Sequence, residues 1–85
     1  MLEISRFFGI AIALYYREHE APQFCALAGP FAAVVEIETG AVRGRFPPRA
    51  LGLVLEWRER HLGELRDNWQ RAGARLPLRP VPPLE

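Results

Sequence analysis

The feature that most constrains the fold is the alternation of apolar and polar residues on both sides of two turn signals, Gly29-Pro30 and Thr39-Gly40. Glycine followed by proline suits a type II′ hairpin, which joins two antiparallel strands through two residues. A two-residue turn at each signal places one apolar set on a single face: Phe24, Ala26, Phe31, Val35, Ile37, Val42 and Phe46. A register slip of one residue would scramble this set, so the pattern predicts an antiparallel meander with one buried face.

The two turns also predict the cross-strand pairs, because a two-residue loop fixes the register of the strands that it joins. The expected pairs are Ala28–Phe31, Ala26–Ala33 and Phe24–Val35 in the first hairpin, and Glu38–Ala41, Ile37–Val42 and Glu36–Arg43 in the second. The opposite, outer face then carries Gln23, Cys25, Leu27, Glu36, Glu38, Arg43 and Arg45. We expect this outer face to be open to solvent or to a partner.

An apolar, β-rich stretch precedes these strands, and the second half of the chain has a helical pattern. From residue 50 onward, apolar residues recur at spacings of three and four in two stripes, with Gly63 near the join. Pro48 suits the first turn of a helix, and Gly73 suits the end of the second. The expected elements are strands at about 8–16, 24–28, 31–38 and 41–46, helices at about 48–60 and 62–73, and an extended proline-rich tail at 76–85.

These elements predict an α+β fold, an antiparallel β-meander of three to four strands with one face covered by the two C-terminal helices. With 85 residues, the chain has the length of one domain. In a simple meander the uncharged strand at residues 8–16 lies at an edge, where it invites pairing with another chain. We therefore expect either a weak symmetric homodimer through this strand or the tail docked against it.

Composition argues against several functions and locations. The formal net charge is +1 at pH 7, so no general attraction to nucleic acid or to an anionic membrane is expected. The apolar run after Arg6 has ten residues, too few to span a bilayer. The one cysteine cannot form an internal disulfide, which fits a reducing compartment.

The stretch REHEAPQFCALAG holds the cysteine and one of the two histidines, so it is the first candidate for catalysis or metal binding. A nucleophilic cysteine needs a positioned base and a lowered pKa. His19 is the candidate base for Cys25, but the neighbouring Glu18 and Glu20 favour a thiol over a thiolate. Together with His61, these residues match no zinc-binding spacing. We therefore expect no metal, no cofactor and no catalytic residue, and we interpret Cys25 as a half-buried strand residue.

Three arginines are candidates for contacts with phosphate groups. In the predicted register Arg43 faces Glu36, whereas Arg45 and Arg49 have no obvious local partner. Arg45 and Arg49 are therefore the candidate nucleic-acid-binding residues. The sequence contains no glycine-rich phosphate loop and no Ser/His/Asp arrangement.

The opening EISRFFGI, the turn IETG and the helical stretch RALGLVLEWRERHLGELRDNW carry a resemblance to a known family. From residue 2 to about residue 84, the chain resembles the small bacterial family catalogued as domain of unknown function 4160 (DUF4160). The resemblance implies a short bacterial cytoplasmic protein. It also implies a gene that often lies beside one for domain of unknown function 2442, in an arrangement like a toxin–antitoxin pair.

Around Cys25 the chain departs from the form H-x-P-P-H-F-H-A-x-Y-G that is usual in this family. His19, Pro22, Phe24, Ala26 and Gly29 match that form, and Ala21, Gln23, Cys25 and Ala28 do not. Strand periodicity places positions 23 and 25 on the same outer face, so the resemblance implies two imidazoles there in other members. Because Gln23 cannot do acid–base work, we interpret the stretch as a structural hairpin that has lost much of the family's chemistry.

Two hypotheses of function follow. The first is a non-catalytic interaction module that binds a protein partner, such as the product of the neighbouring gene. The second is an enzyme acting on RNA, a toxin-like ribonuclease, with His19 and Cys25 as its candidate catalytic residues and Arg45 and Arg49 on the phosphates. Incubating the pure protein and a His19→Ala variant with total RNA separates the two.

Overall fold

The computed structural model describes residues 2–85 and contains five strands followed by two helices. They are β1 (Leu2–Phe7), β2 (Ile10–Leu14), β3 (Gln23–Ala28), β4 (Phe31–Glu36), β5 (Val42–Arg45), α1 (Pro48–Arg60) and α2 (Leu62–Gly73). The strands form one antiparallel sheet in the order β1-β2-β3-β4-β5. The predicted α+β meander with two C-terminal helices is confirmed, but it has five strands rather than three to four.

The additional strand is β1, which pairs with β2 through a two-residue turn at Phe8 and Gly9. Both turn residues have positive φ, 50° and 76°, as a type I′ hairpin turn requires. The sequence pattern predicted one strand over residues 8–16 because phenylalanine is not a typical turn residue. The expectation that this strand forms an edge is wrong, because β1 covers β2 on one side and β3 covers it on the other.

The hairpin of β3 and β4 has the predicted register. Ala28 faces Phe31, and Phe24 faces Val35, across a two-residue turn in which Gly29 has a φ of 55°. A residue with a side chain rarely adopts this φ, so the glycine allows the strands to close so tightly. The apolar alternation therefore fixed both the turn and the buried face of this hairpin.

The register of β4 against β5 differs from the prediction by two residues. Val34, rather than Glu36, faces Arg43. The Glu36 N–H donates instead to the carbonyl oxygen of Ala41 at 2.9 Å, so the four residues 37–40 form the loop where a two-residue turn was expected. Because the shift is an even number, each β5 side chain stays on its predicted face.

Two arginines from the helices hold this longer loop in place. Arg58 donates hydrogen bonds to the carbonyl oxygens of Ile37 at 2.9 Å and Glu38 at 3.1 Å. Arg66 binds the Glu38 carboxylate at 2.8 Å, and this contact lowers the pKa of Glu38. Contacts between elements distant in sequence therefore set the loop conformation.

The hydrophobic core lies between the inner face of the sheet and the two helices. Trp57 is at its centre, with its ring 5.5 Å from that of Phe7 and 5.7 Å from that of Phe24. Its side chain is fully buried, so Trp57 packs in the core as an amphipathic helix predicts. The other side chains with no exposed surface are Ile12, Phe24, Ala26, Val35, Ile37, Val54 and Leu65.

The proline-rich tail is anchored to both helices by polar contacts. The buried side-chain amide of Asn68 makes two hydrogen bonds to the backbone of Arg79, one to its carbonyl oxygen and one from its N–H, each 2.8 Å long. The indole N–H of Trp57 donates to the carbonyl oxygen of Pro82 at 2.9 Å. The tail thus satisfies two buried polar side chains that would otherwise lack partners.

The same tail also reaches the edge strand β1. The Val81 N–H donates to the carbonyl oxygen of Ile4 at 2.8 Å, and the side chains of Val81 and Leu84 are buried in the core. Ile4 lies where the β1–β2 register shifts, at an irregularity between Glu3 and Ser5. The tail therefore docks against an edge of the sheet, which was one of the two expected arrangements. The edge that it contacts is β1, whereas the expected edge was the strand at residues 8–16.

Candidate interaction surface

The two helices cover one face of the sheet and leave the other, the outer face, uncovered. Two rows of side chains cross the outer face from β1 to β5, because the register aligns them. One row is Arg6, Ala11, Leu27, Ala32 and Arg45, and the other is Glu3, Ala13, Cys25, Val34 and Arg43. Each row has small or apolar residues on the three central strands and charged residues on the two edge strands.

This arrangement produces a groove, which we call the outer groove. Its floor is low because the alanines on β2 lie beneath longer neighbours: Ala11 is 8 % exposed and Ala13 4 %. A depression of about 410 Å³ lies over Leu27, Ala32 and Gly44, and a second of about 240 Å³ lies beside Tyr15. Cys25 and Val34 line both depressions, so the outer groove continues along the direction of the strands.

The β5 wall of the outer groove is cationic. The Arg43 guanidinium donates to the side-chain oxygen of Gln23 at 2.9 Å, so it has a neutral partner rather than the expected Glu36. Within residues 2–85, the side chain of Arg45 makes no hydrogen bond or ion pair. Both arginines are exposed. This wall therefore presents two arginines that form no ion pair within residues 2–85, with Glu20 and Glu36 lining a depression beside Arg43.

Gly44 lies between these two arginines and brings β5 close to β4. Its φ is 109°, and a Cβ at this position would come within 2.6 Å of the carbonyl oxygen of Ala32. Real Cβ atoms essentially never approach so closely, so only glycine allows this backbone contact. The glycine thereby fixes the strand that carries the cationic wall.

The sequence pattern did not predict the β1 wall of the outer groove, because it did not predict a strand over residues 2–7. It consists of Glu3 and Arg6, whose side chains form an exposed ion pair at 2.7 Å. The irregularity between Glu3 and Ser5 places two residues three apart on the same face of a strand. The alternation within Leu2–Phe7 was the available signal, but this irregularity interrupts its period of two.

Cys25 lies in the floor of the outer groove and is half-buried, as expected. Burial raises the pKa of its thiol, which favours the neutral form over the thiolate that nucleophilic catalysis needs. His19 is exposed in the loop between β2 and β3, and no hydrogen bond joins it to Cys25 in the part of the chain that the structure describes. This geometry therefore does not support His19 as the base for Cys25.

The candidate phosphate-binding arginines lie far from His19 along the sheet. The loops that follow β2 and β4 are at one end of the antiparallel sheet, and His19 is in the first of these. Arg45 is the last residue of β5 and Arg49 lies in the first turn of α1, both toward the opposite end. The structure does not bring His19 together with these two arginines.

Two further properties concern metals and membranes. Among residues 2–85, no group of three or more His, Cys, Asp or Glu side chains is placed to hold a metal ion. No helix in this part of the chain has both the length and the apolar character needed to cross a bilayer.

The comparison with protein families agrees with the resemblance found in the sequence. The family model described as Domain of unknown function (DUF4160) matches residues 9–70 of the 85-residue chain. The chain belongs to this family. The region matched to DUF4160 starts in the turn between β1 and β2 and ends within α2, so it includes the floor and the β5 wall of the outer groove. No curated protein and no solved structure shows a significant match to the chain.

Proposed function

We propose that the protein is a non-catalytic interaction module that binds a protein partner through its outer groove. The observation that carries the proposal is the apolar floor of the outer groove, where the accessible side chains of Cys25, Leu27, Ala32 and Val34 lie beside the buried Ala11 and Ala13. The open face of an antiparallel sheet ordinarily carries polar side chains toward water. A contiguous apolar surface with a charged rim is instead typical of a protein-binding site.

The family supports a particular kind of partner. The resemblance to DUF4160 proteins implies a bacterial gene beside one for a second small protein, in an arrangement like a toxin–antitoxin pair. We propose that the product of that neighbouring gene is the partner, and that the pair acts in the cytoplasm, where a single reduced cysteine persists. The raised pKa of Cys25 fits this binding role, because a neutral thiol in the groove floor behaves as a small apolar side chain.

The ribonuclease hypothesis has less support. It needs an acid–base residue beside phosphate-binding cations, and His19 lies at the opposite end of the sheet from Arg49. Incubation with total RNA tests it directly. Cleavage by the native protein that disappears in a His19→Ala variant would favour the enzyme over the interaction module.

Capture of the partner from the host lysate tests the proposal, with two matched alanine variants. Ala32→Asp places a charge in the floor of the outer groove, whereas Ala74→Asp places the same charge at an exposed position after α2. Both variants should keep the native circular dichroism spectrum, because both alanines are exposed. We expect a partner identified by mass spectrometry to be lost with Ala32→Asp and kept with Ala74→Asp. Equal capture by both would show that binding does not use the outer groove.

A further inference from the structure

We propose that the outer groove receives an amphipathic α-helix of the partner, with acidic residues along the flank that faces β5. This inference rests on the proposed function and makes its partner specific. The width of the groove, its length and the distribution of charge on its two walls support an acidic helix.

The width of the outer groove matches one helix. Neighbouring strands lie about 4.8 Å apart, so the floor from β2 to β4 spans about 10 Å and the walls on β1 and β5 stand about 19 Å apart. An α-helix with its side chains is about 10–12 Å in diameter. The small, exposed Ala32 on the floor allows such a helix to approach β4 closely.

The length and direction of the outer groove match two to three helical turns. The two depressions join at Cys25 and Val34, so the groove follows the strands rather than crossing them. From Leu27 to Gln23 the strand advances by four residues, or about 14 Å. A helix covers this distance with about nine residues, at about 1.5 Å per residue. An apolar stripe of two to three turns therefore fills the floor.

The two walls of the outer groove differ in charge, and this difference indicates that the acidic flank of the partner's helix faces β5. Glu3 and Arg6 on β1 neutralise each other, whereas Arg43 and Arg45 on β5 have no carboxylate partner within residues 2–85. Two residues along a strand advance about 6.8 Å. Side chains four apart on a helix are about 6 Å apart along its axis. Two carboxylates one helical turn apart therefore match the spacing of Arg43 and Arg45.

Other occupants fit these observations less well. A second copy of the chain offers no such helix from α1 or α2, because their apolar residues Val54, Trp57 and Leu65 are buried in its own core. An added strand would pair at a sheet edge, whereas the outer groove lies on the face. A nucleic acid would contact cations and stacking aromatic rings, but the floor is mostly aliphatic.

Site-specific photo-cross-linking in host cells identifies the occupant. p-Benzoylphenylalanine replaces Leu27 in the groove floor and, as a control, the exposed Glu59 on α1. The cross-linked segment is then synthesised as a fluorescent peptide, and its affinity is measured by anisotropy. The proteins titrated are the native chain, an Arg43→Glu/Arg45→Glu variant and an Arg60→Glu control on α1.

We expect a cross-link from position 27 and none of the same segment from position 59. The segment should have apolar residues at helical spacing and acidic residues four apart on one flank. The Arg43→Glu/Arg45→Glu double variant should bind the peptide about tenfold or more weakly than the native chain does. A peptide with lysines in place of its acidic residues should restore binding to this double variant. Arg60→Glu should leave the affinity for the peptide unchanged, since Arg60 is exposed on α1, outside the outer groove.

The contrary results separate the two proposals. A cross-linked protein segment that is extended, lacks the acidic flank or binds the double variant equally well would overturn the helix and leave the interaction module in place. A cross-link to RNA or to a second copy of this chain, or no cross-link at all, would overturn the acidic helix as the occupant. If the Ala32→Asp variant also captures the partner from the lysate as well as the native chain does, the proposal that the protein binds a partner through the outer groove is contradicted too.

Discussion

Phe8 occupies a turn position that Asn fills far more often in type I′ hairpins. Its φ is 50° and the residue is 65 % exposed. The backbone of Phe8 is therefore strained, and burial of the phenyl ring does little to offset this strain. We expect Phe8→Asn to raise the free energy of unfolding by about 1 kcal/mol, measured by urea titration, because asparagine tolerates the left-handed conformation. Phe31→Asn is the control, since Phe31 is also exposed and beside a turn but has no positive φ. Equal effects of the two changes would contradict this assignment.

Cys25 provides a second test at a single residue, through the pH dependence of its reaction with a thiol reagent. Burial raises the pKa of the thiol, so the native protein should react more slowly at pH 7 than the unfolded chain. The reaction rate of the native protein should still be increasing at pH values where the rate of the unfolded chain no longer changes. The contribution of the neutral Cys25 thiol to the free energy of unfolding is fully present below the pKa of the thiol in the unfolded chain. This contribution is lost as the pH rises through the pKa of the thiol in the folded protein. A native midpoint below that of the unfolded chain would indicate a catalytic thiolate instead.

Among the elements, local sequence predicted the β3–β4 hairpin well because Gly29-Pro30 and the apolar alternation specify the same register. It failed at β1, where Phe8 hides a turn and the irregularity after Glu3 breaks the alternation. It also misjudged the β4–β5 loop, whose conformation depends on distant arginines. The floor of the outer groove was therefore predictable from strand period, whereas its β1 wall was not.

The anchoring of the tail to α2 gives a prediction at the level of elements. Asn68→Ala removes both hydrogen bonds to the backbone of Arg79 and leaves those groups without their protein partner. We expect the free energy of unfolding to fall by about 2 kcal/mol, and amide exchange at Val81 to accelerate. Gln70→Ala is the control, because Gln70 is exposed on the same helix. Unchanged exchange at Val81 in the Asn68 variant would show that Asn68 does not hold the tail.

For the whole molecule, the two sheet edges are protected in different ways. The tail covers part of β1 through Val81, and β5 is short, carries Arg43 and Arg45, and is distorted at Gly44. Charges, irregular backbone and covering segments all discourage pairing between sheet edges. The weak homodimer stays a prediction, but the strand at residues 8–16 cannot provide its edge, because β2 lies between β1 and β3.

Truncation after Gly73 tests this role of the tail. The variant loses the buried side chains of Val81 and Leu84, each of which contributes about 1.5–3 kcal/mol by its burial. In so small a domain this loss is a large part of the total stability. We expect a lower melting temperature and a higher apparent mass by sedimentation as β1 becomes exposed. A monomer as stable as the full chain would contradict the docked tail.

The most direct measurement of the central claim is a nuclear magnetic resonance titration of the labelled protein with the captured partner. Binding in the outer groove predicts the largest amide shifts at Cys25, Leu27, Val34 and Arg43, with the exposed side of α1 and α2 little changed. A titration in which the largest shifts fall on α1 and α2 while β3 and β4 keep theirs would contradict it.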